Sequence, residues 1–313
     1  MVMRALITGS EGFVGRYMRR ELESAGYEVT GLDRVDAPDT IRADLLDGES
    51  IREAVAGIRP EVIIHLAGQP DVGKSWKAPR TTMELNVIAA INLMEALRDT
   101  GLTDTRLVMV GSSDQYGRLG AAGTRVSEET EMKPGSPYAV SKRAQEEMGR
   151  LYAKAYGMNI CMTRSFNHGG AGQKTGFMIP DFASGIAKIE AGKAQDLPVG
   201  NLTARRDFTH VKDIARAYRL IAEKGRTGEA YNVGSGTTWS AQEILDRLCG
   251  MATCPIPVRQ DPSRMRPSDT PVICCDHNKL TADTGWEPEI PLETILEDTL
   301  EYYRKLEAAG NGG

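Results

Sequence analysis

The chain has 313 residues, a formal net charge of −5, an isoelectric point near 5.6 and 41% hydrophobic residues. This composition supports one large core or two joined ones and excludes a disordered chain. The acidic balance excludes a broad basic surface for nucleic acid, so an anionic ligand must be held by local groups. No apolar run approaches the ~18 residues of a membrane span, and Met1 to Thr8 is too short for a signal-peptide core. Five cysteines, Cys161, Cys249, Cys254, Cys274 and Cys275, show neither disulfide-framework nor metal-ligand spacing. The expectation is reduced thiols, a cytoplasmic location and no metal site.

Strand and helix signals alternate through the first half. Arg4–Thr8 is a β-type run, and a glycine-rich turn leads into a helix over Val14–Ser24 that Gly26 stops. A second strand over Tyr27–Leu32 ends at Asp33, and Ser50–Val55 reads as helix. Val62–Leu66 is continuously apolar, as a buried parallel strand requires. Leu85, Ile88, Leu93 and Leu97 recur at helical spacing within Thr82–Arg98. Leu107–Val110 is a strand that runs into Gly111-Ser112-Ser113. A long helix over Pro137–Tyr156 carries its proline in the first turn, and Ile160–Thr163 is the next strand.

This rhythm predicts an α/β fold with a doubly wound, Rossmann-like parallel sheet in residues 1–165. Past Arg164 glycine and proline become frequent. Helices are readable over Ile179–Glu190, Val211–Glu223, Ala241–Cys249 and Leu292–Lys305. Residues 166–309 are expected to form mainly a smaller C-terminal substrate-binding lobe, with Tyr231-Asn232-Val233 a candidate to return to the main sheet. Residues 310–313 are expected to be a disordered tail.

The turn Thr8-Gly9-Ser10-Glu11-Gly12-Phe13-Val14-Gly15 lies between a strand and a helix. Gly9, Gly12 and Gly15 lack Cβ atoms, so the turn can be tight and a pyrophosphate can approach free N–H groups at the helix start. Asp33 can accept hydrogen bonds from an adenosine ribose and repels a 2′-phosphate, whereas Arg34 could hold one. NADH is therefore favoured, with NADPH expected to work. Leu66, Ala67 and Gly68 follow the apolar strand and are expected to line the cofactor cleft.

Tyr138 and Lys142 share a helical face. A tyrosine pKa near 10 is too high for ready proton exchange at neutral pH. The charge of Lys142, with that of an oxidised nicotinamide, is expected to lower it, making Tyr138 the proton donor in reduction and the base in oxidation. Ser112 can hydrogen-bond the substrate oxygen and stabilise developing negative charge.

The glycine turn, Ser112 and Tyr138-Ala139-Val140-Ser141-Lys142 together resemble the extended short-chain dehydrogenase/reductase family. Other segments narrow the likeness to its GDP-4-keto-6-deoxy-D-mannose reductases and their close relatives, the GDP-mannose 4,6-dehydratases. These are His65-Leu66-Ala67-Gly68-Gln69, Phe166-Asn167-His168, Gly172-Gln173-Lys174, Val199-Gly200-Asn201-Leu202, Arg206-Asp207-Phe208, Asp261 to Asp269 and Thr284 to Pro288. The resemblance implies reduction of the C4 ketone of a GDP-linked 4-keto-6-deoxy sugar. It places Phe13, Val14, Asp44 and Leu45 on the cofactor, with Lys142 also at the nicotinamide ribose, and Gln69, Ser113, Asn167 and Asn201 on the substrate. Arg206 and Arg266 are candidates for the diphosphate, since planar guanidinium groups suit phosphate oxygens. The family pattern also implies a homodimer through a four-helix bundle formed by Thr82–Arg98 and Pro137–Tyr156.

Two positions depart from the pattern: Ser165 and Ala171 stand where the family often has proline, which leaves that loop less rigid. Asp114 occupies the place of the dehydratases' catalytic glutamate, one methylene shorter, and so keeps a dehydratase reading open. An epimerase or decarboxylase acting on a uridine-linked sugar and a noncatalytic dinucleotide sensor are the remaining alternatives.

Overall fold

A computed structural model describes residues 2–117, 125–264 and 272–310. Arg266 and residues 311–313 of the expected tail lie outside the described residues. The main sheet contains β1 (Arg4–Thr8), β2 (Glu28–Asp33), β3 (Thr40–Arg42), β4 (Val62–His65), β5 (Arg106–Ser112), β7 (Ile160–Ser165) and β11 (Ala230–Val233). All pair in parallel, in the order β11-β7-β5-β4-β1-β2-β3. This is the doubly wound sheet that the alternating signals predict. Tyr231-Asn232-Val233 does return to it, pairing with Thr163-Arg164-Ser165.

Two apolar layers cover the sheet. Helices α1 (Phe13–Ser24) and α8 (Val211–Lys224) pack together on one face, with α10 (Asn278–Thr284) beside them. That core joins Ile7, Met18 and Ile64 to Tyr218, Ile221 and the fully buried Trp286. On the other face are α2 (Gly48–Ile58), α5 (Ala89–Asp99) and α6 (Pro137–Tyr156), with Leu6, Ile63, Leu93 and Met109 in the core. The helical segment before α5 is not regular. After α3 (Val72–Lys77) comes α4 (Pro79–Met83), then a π-helical turn over Glu84–Ile88 that runs directly into α5.

The remaining elements gather at the carboxyl edge of the main sheet. A second sheet runs β12 (Thr238–Ser240), β10 (Arg205–His210), β14 (Val272–Cys275) and β6 (Arg125–Val126), and β8 (Asn167–Gly169) also pairs with β10. β9 (Leu197–Val199) pairs with β13 (Val258–Gln260). Helices α7 (Met178–Glu190), α9 (Ala241–Gly250) and α11 (Leu292–Ala308) enclose a separate apolar cluster around Phe182, Ile244 and Ile295. Asp207 locks this region together. Its buried carboxylate accepts N–H bonds from Ser235 (2.8 Å), Gly236 (2.8 Å) and Cys275 (3.0 Å). Among the described residues no helix is long and apolar enough to cross a membrane.

Candidate active site

A cleft of about 1700 Å³ lies between the carboxyl edge of the main sheet and the second group of elements. All the predicted site residues among those described line it. At one end is the glycine turn. Gly9 has φ of +74°, and a Cβ there would come within 2.9 Å of the Ala67 amide nitrogen. A Cβ on Gly15 would collide with the Gly9 carbonyl oxygen. Gly12 is the N-cap of α1, where no side chain caps the helix and no acidic residue occupies the first turn. Free N–H groups and the positive end of the helix dipole are thus left for an anion. Asp33, ending β2, accepts the Glu11 N–H at 3.0 Å and the Arg34 N–H at 2.7 Å, which pins its carboxylate against the turn. Arg34, Asp44 and Leu45 continue the same wall. This cradle fits a dinucleotide, because its bare backbone, helix terminus and ribose-side carboxylate occur together.

The chemistry-bearing side chains sit on β5 and α6. Ser136 caps α6 by accepting the Ala139 N–H at 3.1 Å, and Pro137 occupies the first turn. Such a cap contributes about 1 kcal/mol. Tyr138 and Lys142 are both buried, and the partly buried Ser112 lines the same cleft. The Lys142 ammonium donates to the Val110 carbonyl at 2.8 Å and to Gln145 Oε1 at 3.0 Å. Burial lowers its pKa to about 8.

In the protein alone, Lys142 does not lower the Tyr138 phenol. Burial holds the phenol well above its ordinary value, and the nearby charge of Asp114 adds to this, while the neighbouring Ser112 acts in the opposite sense. The lysine is instead turned onto a backbone carbonyl and an amide. Asp114 is exposed in the cleft, and its N–H donates to Ser112 Oγ at 3.2 Å. Ser113 is buried beside it.

Farther along the cleft, the Asn167 amide reaches the Asp207 carbonyl at 3.5 Å, and Arg206 donates to the Arg205 carbonyl at 2.8 Å. Asn201 Oδ1 accepts from the Thr203 N–H at 2.9 Å. Gln69 lines the wall, but its side chain braces its own loop by donating to the Asp71 carbonyl at 2.9 Å and to Thr82 Oγ1 at 3.1 Å. Ser165 forms a hydroxyl pair with Tyr218 at 2.6 Å, a contact that proline could not make.

Three buried residues were given no role by sequence reasoning. Asn86, in the π turn, accepts the Gln69 N–H at 2.7 Å and donates to Ser141 Oγ at 2.8 Å, joining the cleft loop to α6. His65, paired with Thr8 Oγ1 at 2.8 Å, is held neutral by burial and then by the charge of Lys142, with its pKa down to about 3. Gln115 lies behind Ser112. A polar residue inside an apolar run was the available signal for His65; Asn86 and Gln115 carry none without knowledge of the fold.

A dinucleotide cradle facing a Ser–Tyr–Lys cluster across one cleft defines a nucleotide-dependent oxidoreductase frame. The chain belongs to the GDP-mannose 4,6-dehydratase family, whose sequence model matches residues 6–299. It is 34% identical over 301 residues to the GDP-6-deoxy-D-mannose reductase of Pseudomonas aeruginosa, covering 96% of this chain and 97% of that protein. The structure of RMD from P. aeruginosa complexed with NADPH has a TM-score of 0.89 at 31% identity, covering 97% and 99% of the two chains. Other relatives act differently. A GDP-mannose 4,6-dehydratase of Vibrio cholerae is 27% identical over 352 residues, covering 95% of this chain and 94% of that protein. The UDP-glucose 4-epimerase of Thermus thermophilus in complex with NAD has a TM-score of 0.87 at 28% identity, covering 96% and 99%.

Proposed function

We propose that this chain reduces the C4 ketone of GDP-4-keto-6-deoxy-D-mannose to GDP-D-rhamnose, using NADH or NADPH. The observation that carries the reading is that Ser112, Tyr138 and Lys142 line one cleft with the dinucleotide cradle, the tyrosine and lysine buried and the serine partly so. Gly9, Gly12, Gly15 and Asp33 would hold the dinucleotide, which when bound supplies the hydride. Ser112 donates to the ketone oxygen and stabilises the charge that develops there. Tyr138 delivers the proton to that oxygen. Lys142, charged below a pH of about 8, supports the phenolate left behind. Arg206, Asn167 and Asn201 line the cleft where the diphosphate and sugar of the substrate would lie. We place the homodimer contact on the exposed faces of α4–α5 and α6.

Asp114 separates reduction from dehydration. An exposed aspartate, shorter than glutamate, is poorly set to remove a carbon-bound proton, since ~1 Å of misplacement costs about 10²-fold in rate. The test is NADPH oxidation with the keto sugar, beside GDP-mannose alone, for the native chain and Asp114→Asn. Oxidation with the keto sugar only, retained within about threefold in the variant, is expected. Water loss from GDP-mannose that disappears in Asp114→Asn would make the chain a dehydratase.

A further inference from the structure

We propose that Gln115 is a positioning residue that aims the Ser112 hydroxyl by tying the end of β5 to helix α6. The proposal rests on the roles given to Ser112 and Tyr138 above.

Ser112 closes β5 and caps the short 3-10 turn Ser113–Tyr116. Its own N–H donates to Gln115 Oε1 at 3.0 Å, and its Oγ accepts the Asp114 N–H at 3.2 Å. With both backbone contacts fixed, the serine's hydrogen is left to donate into the cleft that Tyr138 also lines. The Gln115 side chain is fully buried, and its amide nitrogen donates to Glu146 Oε2 at 2.7 Å. Glu146 lies one turn past Lys142 and two turns past Tyr138, so the three share one face of α6.

The carboxylate is itself clamped. Arg164, from the neighbouring strand β7, donates to it through Nε (2.9 Å) and Nη2 (2.7 Å), and Arg150 adds a bond at 3.0 Å. This decides which way the amide faces. With its NH₂ held by a carboxylate, the oxygen must meet the Ser112 N–H; the flipped amide would set oxygen against carboxylate and donor against donor. Gly111 supplies the room, because a Cβ there would lie 2.6 Å from Gln115 Oε1. The ion pair in the core thus acts on Ser112 through a single rigid amide.

The test replaces Gln115 in the full chain. Gln115→Leu removes both bonds at similar volume. Gln115→Glu keeps the acceptor for Ser112 but loses the donor to Glu146, and it serves where the leucine variant fails to fold. For each we would measure kcat, the KM of the sugar nucleotide and the NADPH dissociation constant. We expect kcat to fall by about 10²-fold in Gln115→Leu and about tenfold in Gln115→Glu, with KM and cofactor affinity within about twofold. Unchanged kcat overturns the proposal, as does a kcat that falls together with cofactor affinity, which marks a merely structural residue. Native turnover of the keto sugar is measured first; if it is absent, the reaction assignment fails, and not this one. A crystal structure of Gln115→Leu then decides independently of turnover. Displacement of Ser112 Oγ from Tyr138 is expected, and an unmoved Ser112 overturns the proposal.

Discussion

Tyr138 and Lys142 stand one helical turn apart, yet burial moves them in opposite directions. It favours the neutral form of each, so the phenol rises while the amine falls to about 8. The sign of the pH dependence follows. Tyr138 keeps its proton through neutral and mildly alkaline pH, so the donor is present throughout. Lys142 is charged below about 8 and neutral above it. The kcat/KM for reduction should therefore be flat on the acid side and fall as pH rises through about 8. A pH profile checks this, and Lys142→Met should remove the alkaline limb along with most of the rate. A native profile that stays level through the alkaline range would assign Lys142 another role.

At the level of elements, the glycine turn separates two uses of glycine. Gly15 is buried against the Gly9 carbonyl, so its small size serves packing. Gly12 is exposed, and a Cβ there would meet only the Gly9 carbonyl oxygen, at 3.1 Å. Gly12→Ala should therefore weaken NADPH binding by about tenfold, or ~1.4 kcal/mol, with little change in melting temperature. Titration of cofactor fluorescence beside thermal unfolding measures both; loss of stability without loss of affinity would contradict it.

Element signals were legible where local chemistry sets them. The limits of α6 match the expected Pro137–Tyr156, because Ser136, Pro137 and Gly157 mark its ends. The π turn over Glu84–Ile88 was not legible, since the apolar spacing of Leu85, Ile88 and Leu93 passes through it as if the helix were regular. Within it Asn86 bonds both Gln69 and Ser141, partners that the local spacing does not reveal. The two- and three-residue strands β6, β8 and β12 likewise owe their existence to partners far along the chain. Ser112, Tyr138 and Lys142 could be read from the sequence because each carries its own reactive group. Gln115 could not, because its partner Glu146 lies 31 residues away.

On the scale of the whole molecule, Ile88, Val140 and Leu151 remain 45%, 44% and 55% exposed on the helices assigned to the dimer contact. Burying one such side chain contributes roughly 1.5–3 kcal/mol. On the homodimer proposed above, Leu151→Glu should lower the mass in light scattering to that of one chain while leaving the fold intact; a native mass of one chain, or a variant that keeps the dimer mass, would contradict that placement.

The return of β11 to the main sheet has a consequence for synthesis. Ser112, Tyr138 and Lys142 have all left the ribosome long before Val233 can complete the sheet, and before Trp286 can close the core under α1. Until then one face of β1 and β4 lacks the cover of α8 and α10, and the edge of β7 lacks its partner strand. The growing chain therefore carries an open apolar face and an unpaired edge through much of translation, the condition in which nascent chains aggregate or call on chaperones. A stop codon between Lys142 and Trp286 would leave Ser112, Tyr138 and Lys142 in a polypeptide whose core lacks the tryptophan that completes it.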